Sequence, residues 1–158
     1  MNNFLSKIFF IFSLMCCAIN ANGSDFNNGS FAAIKERPGL FRSGPNIDYP
    51  VSFQIDREHA PLLIINSIEN WRYVQDADGQ IGWIHTGNLI AKRTVLTRCA
   101  SPVILYSQPN FNALVVSSIE DNMLFSVIAC TEHWCHLSRG EMNGWIEKKF
   151  LWGATYTN

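Results

Sequence analysis

Apolar residues along this chain come in short runs, and past the N-terminus none of the runs keeps a helical period. SFAAI, GLFRS, PLLIINSI, WRYVQ, QIGWIH, PVILYS, ALVVSSI, LFSVIAC, WCHLS and NGWIE follow one another, separated by clusters of Gly, Pro, Asn and Asp. Branched and aromatic side chains suit a pleated, half-buried surface, and the breakers between them supply turns. The pattern therefore predicts an all-β chain of many short strands, closed as a barrel or packed as a sandwich. Asp76-Ala77-Asp78-Gly79 stands between WRYVQ and QIGWIH, and a second turn at 138–143 precedes GWIE. Glycine takes a positive φ at no steric cost, so each of these marks a hairpin.

The pattern also repeats. RSGP at 42–45 lines up with YSQP at 106–109, and ENWRYV at 69–74 with EHWCHL at 132–137. GWI at 82–84 recurs at 144–146, and Leu89 falls against Leu151. The offset stays at about 62 to 64 residues, the range of a duplicated supersecondary unit or small domain. Two small β-barrels in tandem are expected, each of about five short strands, over residues 31–91 and 92–153. The junction at 90–94 has no Pro/Gly/Ser linker composition, which predicts closely docked barrels. A polar, glycine-rich stretch at 22–30, NGSDFNNGS, is expected to be a flexible lead-in, and residues 154–158 a short tail.

Composition changes the picture at the N-terminus. Lys7 precedes an apolar run over residues 8–19, after which small and polar residues follow. A membrane anchor needs roughly 20 apolar residues, more than this run offers, whereas a charged start, short apolar stretch and small-residue exit describe a secretory signal peptide. Residues 1–21 are read as that signal, with cleavage after Ala21 and with Ala18 and Gly23 as alternative sites. The mature chain is then exported to the periplasm or cell envelope, without a membrane span of its own, where disulfides persist. It retains Cys99, Cys130 and Cys135, one pair and a leftover. The formal net charge of -1 provides no basic field for nucleic acid.

The succession R-S-G-P, hydrophobic strand, N-W-x-x-V, D-G-x-x-G-W-I and a closing hydrophobic turn resembles the bacterial SH3-like domain family. The second copy ends in FLWG at 150–153, and the resemblance spans residues 31–153. It implies two partly open barrels of five to six strands in tandem. Members of the family are often attached to cell-wall hydrolases and target them to peptidoglycan. Relatives of the two-domain type often carry C-x-x-x-W-C in the second domain, a pattern that Cys130 and Cys135 match.

CTEHWCHL at 130–137 concentrates the reactive side chains. Across a turn, the spacing of Cys130 and Cys135 allows a cross-strand bridge. Cys130, His133, Cys135 and His136 are also zinc-ligand types, although strand alternation sends Cys135 and His136 to opposite faces. A catalytic thiol of the wall-hydrolase type needs a helix to carry it, and no helical segment is predicted. Gly-x-Ser-x-Gly and His-Glu-x-x-His are absent. Asp56, Glu58, Asp76 and Asp78 lack the spacing of a calcium loop and read as solvated turns. A non-enzymatic protein without metal or cofactor is expected. Its candidate groove is aromatic: Arg42, Tyr49, Phe53, Tyr73 and Trp83 in the first unit, and Tyr106, Phe111, Trp145 and Trp152 in the second. Trp71, Trp83, Trp134 and Trp145 occupy equivalent points of the repeat and equally suit a core. The expected ligand is peptidoglycan or its stem peptides, with Arg42 positioned to take a carboxylate. The alternative is an envelope protein partner that docks an extended or proline-rich segment.

Overall fold

The computed structural model describes residues 26–154. The expected signal peptide with its cleavage sites, and residues 155–158 of the tail, lie outside the described residues. The first unit comprises β1 (Phe31–Ile34), β2 (Gly39–Arg42), β3 (Val51–Ile55), β4 (Pro61–Ile68), β5 (Trp71–Gln75), β6 (Ile81–His85) and β7 (Leu89–Ile90). They form one antiparallel sheet in the order β3-β2-β6-β5-β4-β1-β7. The second comprises β8 (Thr94–Thr97), β9 (Val103–Tyr106), β10 (Val115–Ile119), β11 (Leu124–Cys130), β12 (Trp134–Arg139), β13 (Met142–Glu147) and β14 (Leu151–Trp152). Its order, β10-β9-β13-β12-β11-β8-β14, is that of the first unit strand for strand. The all-β fold and the tandem duplication are thus as expected. Each sheet has seven strands rather than about five. The surplus is β3 and β7 in the first unit and β8 and β14 in the second; β7 and β14 are two residues long, too short to leave a period, and they pair back onto β1 and β8.

Alternation along the strands builds a separate core in each unit. Ile34, Phe41, Leu62, Ile64, Val74 and Ile84 are fully buried in the first. Val95, Leu105, Ile119, Phe125, Leu137 and Ile146 do the same in the second. Each such side chain contributes about 1.5–3 kcal/mol of burial free energy, so each unit has a core of its own.

Turn chemistry is duplicated as closely as the strands. Asn46 Oδ1 accepts from the Asp48 amide at 3.3 Å, and Asn110 Oδ1 from the Asn112 amide at 3.0 Å. The Ser43 amide donates to Pro50 O and the Ser107 amide to Leu114 O. The long loop after the second strand of each unit therefore folds the same way, on the shared Ser, Pro and Asn, because an asparagine side chain mimics a backbone turn. Gly79 and Gly140 close the two predicted hairpins at φ of 83° and 57°. Asp76 is buried rather than solvated. Its Oδ1 accepts from the amides of Asp78 and Gln80 and so caps the first of these turns.

Residues 22–25 of the lead-in lie outside the described residues, and its described part departs from expectation. Phe26 is buried in the first core, the Gly29 amide donates to Ile64 O, and the Ile64 amide donates to Ser30 O. Residues 26–30 are therefore docked along β4, not flexible. One phenylalanine within a polar run is anchor enough when backbone pairing is at hand.

The barrels are docked, as the missing linker composition predicts. Arg57 Nη1 donates to Asn122 Oδ1 at 2.9 Å, Arg98 Nη2 meets Asp78 Oδ1 at 2.6 Å, and Trp152 meets Phe31 edge-on at 5.4 Å. A cleft of about 240 Å³ runs between them, lined by Arg57, Asp78, Arg98 and Asn122 among others. Thr94 is buried at this junction, and its hydroxyl donates to His59 O at 2.8 Å. Thr94→Val should cost about 1 kcal/mol, since it removes the donor from a partly buried carbonyl while keeping the side chain's shape. Urea unfolding of the variant checks this. No helix among the described residues is long and apolar enough to cross a membrane.

Candidate functional site

The glycine-closed hairpin of each unit, β5–β6 and β12–β13, sends alternate residues to the outer face. On β5 and β6 those residues pair as Trp71 with His85, Tyr73 with Trp83, and Gln75 with Ile81. On β12 and β13 they pair as Trp134 with Glu147, His136 with Trp145, and Ser138 with Asn143. The neighbouring strand adds Arg42 beside Trp83 in the first unit and Tyr106 beside Trp145 in the second. None of the four hairpin tryptophans is fully buried, so both cores are built without them.

In the first unit Tyr73 and Trp83 lie 5.1 Å apart, and Trp71 meets His85 edge-on at 5.3 Å. Arg42 Nη1 donates to Tyr49 O at 2.6 Å, and the Tyr49 ring packs over Gly44. Arg42, Tyr73 and Trp83 are therefore neighbours on one face, with Tyr49 at its margin. Phe53 is not part of it. Its ring stacks on Phe41 at 4.5 Å, against the core, because Phe53 pairs with the inward-facing Phe41 while Arg42, the next residue of β2, faces outward by strand alternation.

The second unit forms a pocket. Tyr106, Phe111 and Trp134 make a three-ring cluster with centroid separations of 5.0–6.0 Å. Together with Glu147, Phe150 and Pro102 they line a cavity of about 180 Å³. Phe111 is 65% exposed, so this apolar surface is open to solvent. The sequence brought Tyr106 and Phe111 together but assigned Trp134 to the repeat frame. Strand parity, which puts Trp134 opposite Glu147 on the outer face, was the signal available. Trp145 is adjacent through its backbone pairing with Tyr106, but its ring stacks on His136 at 4.8 Å. His136 in turn is hydrogen-bonded to Asn143 Oδ1. Trp152 does not join the pocket. It pairs with Leu96 on β8 and packs on Phe31 at the junction of the barrels.

The pocket carries one carboxylate. Glu147 Oε2 lies 2.9 Å from Lys149 Nζ, and that ammonium lies 4.9 Å from the centroid of Phe150. Cys130 and Cys135 face each other in register and form a disulfide, so neither sulfur is free as a thiolate ligand or nucleophile. Cys99 is a partly buried free thiol, pushed up by desolvation and then by the nearby Asp121 carboxylate, which lowers its thiolate fraction. No group of three or more His, Cys, Asp or Glu among the described residues is arranged to hold a metal ion.

The model of the bacterial SH3 domain matches this chain twice, over residues 35–90 and 100–153. No curated protein matches it. Among solved structures, NlpC2 and NlpC1 from Trichomonas vaginalis are similar to it at 10% and 11% sequence identity, each with a TM-score of 0.35. The matches cover 78% and 82% of this chain and 47% of each of those chains, so this chain spans about half their length. The two matched regions take in more than half of the sequence and each takes in six of the seven strands of one sheet: the chain belongs to the bacterial SH3 domain family, with two copies in tandem.

Proposed function

We propose that this is a non-enzymatic, exported binding protein that holds peptidoglycan, through its stem peptides, in the cell envelope. The open three-ring pocket of Tyr106, Phe111 and Trp134 is the observation that carries this reading. Solvent-exposed rings around a concavity lose unfavourable hydration when a ligand covers them, and a few well-placed aromatics dominate such contacts. The disulfide is compatible with an oxidising compartment, and family membership supports a role at the wall. Retention of the protein on purified sacculi tests it. Trp134→Ala should weaken retention by roughly thirtyfold or more, the effect of losing about 2 kcal/mol at a binding hot spot. Equal retention of wild type and variant would remove the pocket from the reading.

A second reading has its own support. β10 is an edge strand paired to the pocket strand β9, and Val115 and Val116 are exposed along it, with Leu114 exposed just before it. An extended segment of an envelope protein would add to that edge through main-chain hydrogen bonds. It predicts co-purification of such a partner and indifference to sacculi.

A further inference from the structure

We infer that the second-unit pocket is an ammonium site: Tyr106, Phe111 and Trp134 supply ring faces, and Glu147 the counter-charge, for an alkylammonium group on a peptide side chain. This rests on the reading that the pocket binds a wall peptide and names the group it takes. Size narrows the ligand first. The cavity of about 180 Å³ is well below the roughly 300–1,000 Å³ of sites that enclose whole small molecules, so it fits an amine-bearing side chain rather than a disaccharide. Ring geometry narrows it further. Tyr106 stands at 86° to Phe111 and 83° to Trp134, and Phe111 at 60° to Trp134. Steeply inclined rings make the walls of a corner, and a cation resting there meets more than one negative ring face. Charge then decides the sign. Glu147 is the one acidic side chain lining the pocket, and it is partly desolvated, with 23% side-chain exposure. A cation compensates it, and an anion opposes it.

The chain contains a stand-in for the ligand. The Lys149 ammonium sits against Glu147 Oε2 and over Phe150 at the pocket margin. Its side chain is 63% exposed, so this ion pair is weak enough to yield to a competing amine. The first unit supplies the internal contrast. By strand register Arg42 stands where the second has Tyr106, Trp71 where it has Trp134, and His85 where it has Glu147. Ile47 holds the loop position of Phe111. Only a tryptophan is kept, and an arginine repels a cation. The ammonium site thus belongs to the second copy alone.

Nuclear magnetic resonance titration of the full exported chain with Nα-acetyl-lysine methylamide tests this, with the Nε-acetylated analogue as control. The free amine should bind at least about tenfold more tightly than the analogue, shifting Trp134 and Phe111 resonances but not Trp71. Glu147→Gln should lower that affinity by a similar factor, and Lys149→Met should leave it unchanged or raise it. Equal affinity for amine and analogue, or an unchanged affinity in Glu147→Gln, overturns the inference. Loss of sacculus retention after acetylation of the wall's free amines supports it with the wall as source, and equal retention before and after overturns it. Absence of any sacculus retention, with the lysine probe still bound, leaves the ammonium site standing and removes the wall from the proposed function.

Discussion

Valine in place of Gly144 is expected to destabilise the second barrel and dismantle its pocket, leaving the first barrel as it is. Gly144 is buried on β13, where a Cβ would lie 2.7 Å from Tyr106 O and 2.8 Å from Leu105 Cγ. A backbone oxygen at that distance has no rotamer by which to retreat, so β9 must move away from β13. That strand carries the buried Leu105 and the pocket residue Tyr106 together. Overpacking a well-filled core costs about 1–3 kcal/mol, and displacement of a paired strand places this variant at the upper end of that range or beyond it. The equivalent Gly82 differs in what confronts it. There the nearest atoms are Phe41 Cβ at 3.0 Å and Phe53 Cε1 at 3.1 Å, with the backbone oxygen of Arg42 at 3.5 Å. These contacts need give by only a few tenths of an ångström and the backbone oxygen stands clear, so Gly82→Ala should be milder than Gly144→Ala. Urea unfolding resolved by barrel, together with sacculus retention, reads both effects. An unchanged second-barrel midpoint in Gly144→Val would show that close approach of β9 and β13 is not required.

The two GWI motifs are legible as a repeat in the sequence, but their reason is spatial. Glycine is needed because the neighbouring strand passes within van der Waals range, a contact between residues far apart in sequence. Duplication was readable for a simpler cause: each copy uses the same local turn chemistry, Asn46 and Asn110 included, and local chemistry leaves its mark in adjacent letters. The end strands left none. A two-residue strand such as β7 or β14 has no period, and its pairing to β1 or β8 is set by chain closure. Phe26 was hidden similarly, since one aromatic among Asn, Gly and Ser reads as loop until a barrel end is there to receive it.

At the site, residue type was informative and direction was not. Tyr106, Phe111, Tyr73, Trp83 and Arg42 were assigned to outer surfaces that the strands do present. Phe53 was misplaced because its direction is set by pairing with the buried Phe41 on β2, a contact between strands that an aromatic residue in a short run does not announce. Trp152 was misplaced because its partner, Phe31, belongs to the other barrel, and no periodicity within one unit can announce a contact between two. Trp134 was passed over because a tryptophan repeated at Trp71 suggests a shared frame. Its neighbours are what differ between the copies: Phe111 and Glu147 in one, Ile47 and His85 in the other.

The two barrels close the same corner by different means, and this predicts that each can be loosened separately. Ser67 and Arg72 face each other in register at the position where the second barrel has Cys130 and Cys135. In the first barrel Arg72 Nε donates to Phe26 O at 3.0 Å, Ser67 bonds Asn28, and the Phe26 ring enters the core. The second barrel replaces that arrangement with a disulfide whose Cys135 is fully buried. Phe26→Ala should therefore cost the first barrel about 3–5 kcal/mol, the range for truncating a buried phenylalanine. Reduction of the disulfide should cost the second barrel only about 2 kcal/mol, because the loop it closes is short. Residues 31–91 contain no cysteine, so a reductant has nothing to act on in the first barrel. Urea unfolding with and without reductant, on wild type and Phe26→Ala, should show each change moving one transition. If Phe26→Ala leaves the first transition in place, the docked segment is an ornament on a self-sufficient barrel. If reductant moves both transitions, the docking at Thr94, Arg57 and Arg98 couples the barrels strongly enough for one to inherit the other's loss.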